Sequence, residues 1–105
     1  PGRRAIGERY PIDLALLPIG AYRPRLSFIP GASWAMRRVH MAPEDLPEAA
    51  ALLKAKLIVP IHWGTFKLTC EPVEEPMERL QRLLDAQDSL RAKVRIVPHG
   101  KTLDF

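Results

Sequence analysis

A chain of 105 residues suits one small domain or part of a larger one, and its 47% hydrophobic content excludes an intrinsically disordered segment. The single cysteine excludes an intramolecular disulfide, no apolar run approaches the roughly 18 residues that a membrane span needs, and Pro1-Gly2-Arg3-Arg4 carries no apolar signal stretch. The formal charge of +4, with seven arginines among the first 40 residues, favours an anionic partner or simply keeps the surface solvated. A cytoplasmic protein is the expectation. The missing initiator methionine is read as the mark of a fragment, ahead of a processed product or an excised piece.

Residues 12–19 form a continuous apolar run, too short for a surface helix, and predict a buried strand ending at Gly20. Asp13, at its start, is read as a structural hydrogen-bond partner. Residues 21–39 show no sustained period and carry Pro24, Pro30, Gly31, Phe28, Trp34 and four arginines. A link of this length is functional or locally disordered, with room for a short amphipathic turn at residues 34–38.

Asp45 then caps a helix that runs to about Ala55, with Pro47 in the first turn and Glu48 three residues after the cap. A start at Pro43 would put Pro47 in the helix interior and remove a backbone hydrogen bond. The run Leu57-Ile58-Val59-Pro60-Ile61 predicts a second strand, and His62 stands at its carboxyl end, where open α/β sheets place their chemistry. His62 is therefore a candidate metal ligand, with a hydrogen-bonded structural histidine as the alternative. Cys70 lies in no nucleophile motif and is read as inert.

From Pro76 onward Met77, Leu80, Leu83 and Leu84 recur at helical spacing, while Glu78, Arg79, Arg82 and Asp85 are expected to face outward. Glu78 and Arg82 make a favourable i,i+4 pair. Residues 94–97 predict a third strand, His99 a turn residue beside Gly100, and residues 101–105 a last extended piece. The expected order is strand, loop, helix, strand, helix, strand. Such alternation is an α/β fold class, with the first two strands parallel.

Four stretches give the chain a further identity: Asp13-Leu14-Ala15-Leu16-Leu17-Pro18-Ile19-Gly20-Ala21-Tyr22 with Pro24-Arg25, His40-Met41 with Pro43-Glu44, Ile61-His62-Trp63-Gly64-Thr65-Phe66, and Glu74-Glu75-Pro76 with Arg79-Leu80. In these the sequence resembles the metallo-β-lactamase superfamily, in the branch of N-acyl-phosphatidylethanolamine-hydrolysing phospholipase D and its bacterial relatives. The resemblance implies that residues 1–105 are the C-terminal part of a single domain, one half of an αββα sandwich whose N-terminal half is absent.

By the same resemblance His62 is the last ligand of a two-zinc centre, with Trp63 and Phe66 as apolar walls. His40 contacts substrate or donates a proton, unless it is only an exposed loop histidine. Tyr22 and Gly20 border the cleft, although Tyr22 also suits simple packing, and Arg25 orients an anionic substrate. Two departures accompany it: the link between Arg25 and His40 is longer than the family's, and the family's His-x-His-x-Asp-His motif, a further histidine and its bridging aspartate have no counterpart here.

The resemblance thus implies a zinc-dependent hydrolase of a small-molecule or lipid phosphodiester or related ester, with peripheral membrane contact and homo-oligomerisation both open to it. One imidazole is too few for zinc, so these residues alone are expected to be inactive. The alternative is a non-enzymatic half-fold serving as a basic binding or assembly module. Specific nucleic-acid binding rests only on the arginines and lacks interleaved aromatics.

Overall fold

In a computed structural model of the chain, residues 2–20, 40–66 and 71–105 are described. The first element, α1 (Gly2–Arg9), has no counterpart among the sequence expectations, because it buries none of its residues and carries no apolar stripe. Its close approach to the rest of the fold is made through Gly7. A Cβ at that position would lie 2.2 Å from the carbonyl oxygen of Leu52.

Strand β1 (Leu14–Pro18) pairs in parallel with β2 (Leu57–Ile61), in the register Leu14 to Leu57 through Pro18 to Ile61. The parallel pairing expected of a helical crossover is present. Its start is fastened by the N–H groups of Lys56 and Leu57, which donate to the carbonyls of Ile12 and Asp13, and by Lys56 Nζ, which donates to Asp13 Oδ1 at 2.7 Å. That carboxylate holds the Lys56 ammonium above its ordinary pKa, through the hydrogen bond first and its charge second. Asp13 is thus the structural partner its position implied.

The connection into helix α2 (Leu46–Leu53) corrects the expected cap. Asp45 holds the N-cap position of the α-helix as expected, but its side chain makes no capping bond to it. It closes a 3-10 turn over Pro43–Asp45, where its carboxylate accepts from the N–H of Ala42 at 2.8 Å while its own N–H donates to the Ala42 carbonyl. The 3-10 geometry accommodates Pro43, and Pro47 still falls in the first α-helical turn, where the missing N–H costs nothing. Lys54, left-handed at φ 53°, ends the helix.

Helix α3 (Glu75–Ala86) buries Leu80 and Leu84 as its spacing predicts, and Glu78 and Arg82 pair across its exposed face. Arg79 departs from expectation. Its side chain is only 14% exposed and is ion-paired to Glu44. A short helix α4 (Asp88–Lys93) follows, also unforeseen, since six residues are too few to show a period.

The third strand is corrected as well. It shrinks to a single parallel bridge between Val94 and Ile58, supported by the Arg95 N–H donating to the Ile58 carbonyl at 2.8 Å. Pro98 has no N–H with which to prolong a ladder. Residues 101–105 adopt no regular structure.

The core lies on one face of the two-stranded sheet, where Ala15, Leu17, Ile19 and Ile58 meet Leu46, Ala49, Leu53, Leu80, Leu84 and Leu90 of the helices. The register puts Leu14, Leu16, Pro18, Leu57, Val59 and Ile61 on the opposite face. All six are apolar, yet Leu16 is 56% and Ile61 38% exposed. No described helix is long and apolar enough to cross a membrane.

Candidate functional site

The carboxyl edge of the sheet carries the chemistry. Beyond β1 the N–H of Ile19 donates to the carbonyl of Ile61 at 3.0 Å, so the strand pair continues one step and sets buried Gly20 beside the segment that begins at His62. Packing explains the placement. Ile19, just past β1, and Pro60, next to last in β2, are fully buried, which fixes both carboxyl strand ends, whereas His62 has passed the last rung and stands exposed.

His62 adopts φ 67°, and Gly64 two residues on adopts φ 69°. The left-handed region is open to glycine but costs a non-glycine residue about 1–3 kcal/mol, so such a residue persists only where its surroundings hold it. One restraint is visible in Trp63, whose Nε1–H donates to the carbonyl of Pro60 at 2.9 Å and so closes a short loop around His62. Half-buried Trp63 packs on the core, and the His99 ring lies against it with centroids 4.8 Å apart and planes inclined by 30°. Phe66, expected as an apolar wall beside it, is 76% exposed.

His40 occupies a different segment, half-buried just before the buried Met41, Ala42 and Pro43. That segment is clamped to α3. Arg79 Nε donates to Glu44 Oε1 at 2.7 Å and Nη2 to Glu44 Oε2, a bidentate fork, and Nη1 lies 3.7 Å from Glu75. Its hydrogen bonds to Glu44 chiefly hold the Arg79 guanidinium above its ordinary pKa; burial opposes this, and the charges of Glu44, Glu75 and Glu71 reinforce it.

Glu71 is buried, and among the described residues neither of its carboxylate oxygens has a hydrogen-bond partner. The sequence does contain a signal for this cluster, in Glu71 before the helix and Glu75 at its start, four residues ahead of Arg79. Their spacing says nothing of Glu44, which lies 35 positions from Arg79.

Gly20 and His62 are therefore brought to one sheet edge, and His40 stands three residues before the clamped turn. Tyr22, Arg25, Phe28, Trp34 and Cys70 lie outside the described residues. Among the described residues no three of His, Cys, Asp and Glu gather where they could hold a metal ion. His62 fits one corner of a metal's coordination sphere, as an exposed imidazole on a restrained strand end, and the described residues supply no complete set.

Residues 2–63 match the family model described as the beta-lactamase superfamily domain. The chain belongs to the metallo-β-lactamase superfamily. Among relatives in this superfamily, it is 39% identical over 90 residues to N-acyl-phosphatidylethanolamine-hydrolyzing phospholipase D 1 of Caenorhabditis elegans, a match covering 84% of this chain and 23% of that protein. A UPF0173 metal-dependent hydrolase of Pyrobaculum aerophilum is 33% identical over 98 residues, covering 93% of the chain and 34% of the relative.

A solved metallo hydrolase from Ignicoccus hospitalis superposes with a TM-score of 0.56 at 27% identity, over 96% of this chain and 34% of that one. The chain thus spans about a quarter to a third of the length of these superfamily members. Among the described residues, the two-stranded parallel sheet with helices on one face is a partial metallo-β-lactamase fold.

Proposed function

We propose that the chain is the carboxy-terminal part of a metal-dependent hydrolase acting on a phosphodiester or related ester, and that it forms one half of a single αββα domain. The observation that carries this reading is the exposed imidazole of His62, held at φ 67° on the carboxyl end of a buried parallel strand. The similarity to a phospholipase D and to metal-dependent hydrolases supports the reaction class and a lipid or small-molecule substrate.

In this reading His62 holds the metal, zinc by its imidazole chemistry, with two ions in the complete protein. A divalent ion there supplies Lewis acidity and lowers the pKa of water. His40, just before the clamped turn, meets the substrate phosphate or gives up a proton to it. Gly20 and Tyr22 border the cleft, and Arg25 orients the anionic group. The 105 residues alone do not hydrolyse, since one imidazole falls short of the three protein ligands that a catalytic zinc needs. The setting is cytoplasmic, with peripheral contact at a membrane surface.

The apolar, half-open sheet face supports the absent half of the domain as the principal partner, because parallel sheets are covered on both faces. The same face favours a second reading, a half-fold that assembles with copies of itself and performs no catalysis.

Metal analysis of the longer protein, purified with and without His62→Ala, tests the first reading. A loss of bound zinc together with loss of activity on an aryl phosphodiester is expected. Unchanged zinc content overturns the ligand role.

A further inference from the structure

The segment after α4 runs beside β2 beyond the single bridge that joins them. Val94 bridges Ile58, and the Arg95 N–H returns to the Ile58 carbonyl at 2.8 Å. Trp63 and His99 stand equally far along the chain from those two bridge residues, and there the segments meet again, ring against ring. The companion segment thus touches β2 at its buried start and at its exposed carboxyl end. Ile96, packed on the core, lies between the two contacts.

We propose that His99 is a positioning residue for His62, acting through its ring contact with Trp63. His62 sits in a backbone conformation that neighbours must maintain. One restraint comes from its own segment of chain, the Trp63 Nε1–H on the Pro60 carbonyl. Another comes from outside that segment. The His99 ring rests on the Trp63 indole, and a Cβ built on Gly64 would meet His99 Cε1 at 3.5 Å, so the imidazole also roofs the residue after Trp63. That distance is ordinary contact, and glycine is needed at 64 for its φ of 69° rather than for room.

Turn geometry holds His99 in place, with Gly100 at φ 80° and the Lys101 N–H donating to the Pro98 carbonyl at 3.0 Å. A ligand is tuned by the groups that orient it as well as by its own donor atom. His99 orients His62 one residue removed, by fixing the indole that closes the loop around it.

This inference rests on His62 being a metal ligand, and the experiment separates the two. In the full-length protein, zinc affinity is measured by competition with a chromophoric chelator, alongside the melting temperature of the metal-free form, for wild type, His99→Ala, His99→Phe and His62→Ala. His99→Ala is expected to weaken zinc binding about tenfold, the lower end of the effect of outer-shell partners, with the metal-free melting temperature unchanged. His99→Phe, which keeps a ring on the indole, is expected to restore affinity towards the wild-type value.

Wild-type affinity in His99→Ala, with binding lost in His62→Ala, overturns the positioning role and leaves the ligand standing. A parallel fall of affinity and melting temperature without rescue by Phe also overturns it. Unchanged binding in His62→Ala overturns both.

Discussion

At the scale of single residues, the backbone at His62 separates what the side chain does for function from what it costs the fold. Replacement by alanine removes the imidazole but keeps a Cβ in the left-handed region, whereas replacement by glycine removes both. His62→Gly is therefore expected to be more stable than His62→Ala by about 1 kcal/mol, as read by urea denaturation of the metal-free protein. Equal stabilities would mean that the positive φ is not strained. The position of His62 after a β-branched run was legible in the sequence because strand burial follows from side-chain type. Its dihedral was not, since it depends on contacts of the folded chain, the closure of Trp63 onto Pro60 among them.

Between elements, two contacts decide how helices sit on the sheet. Arg79 carries the positive charge that faces Glu44, Glu75 and Glu71, three carboxylates drawn from the 3-10 turn, helix α3 and the segment before it. Arg79→Met keeps most of the packing volume and removes that charge. A loss of about 2–3 kcal/mol is expected, below the 3–5 of a fully buried pair because Glu44 keeps contact with water. Chemical denaturation of Arg79→Met and of its double variant with Glu44→Gln checks this, the double variant recovering part of the loss.

Helix α1 meets α2 through Gly7, where two effects oppose each other. Alanine would favour the helix by up to about 1 kcal/mol. Its Cβ would also strike backbone atoms of Leu52 and Leu53, which no rotamer change relieves, and overpacking costs about 1–3 kcal/mol. The clash wins, so Gly7→Ala is expected to lower the midpoint of urea unfolding; a raised midpoint would show that α1 is free to move off α2. A helix that buries none of its residues offers no apolar periodicity, and for that reason the sequence did not disclose α1.

For the molecule as a whole, the open sheet face makes opposite predictions in the isolated chain and in a longer one. Leu16, 56% exposed in the middle of β1, lies on a face made only of apolar side chains. In the isolated chain, self-association through this face is expected by sedimentation velocity, and Leu16→Lys should weaken it at least tenfold, given the roughly 1.5–3 kcal/mol of burying a leucine. In the longer protein the same substitution should destabilise by about 3 kcal/mol, because it would place an ammonium against the covering layer. Unchanged association in the isolated chain together with unchanged stability in the longer protein would mean that nothing covers the face. The continuous apolar run of β1, the parallel pairing of β1 with β2, the stripe of α3 and the histidine after the second strand followed from residue types and spacing alone. Such features depend on local side-chain chemistry, so they could be read along the chain. The Glu44–Arg79 clamp, the reduction of a third strand to one bridge and the ring contact of His99 with Trp63 depend on groups tens of residues apart meeting in space, and only the packing of helices on one sheet face decides which of them do.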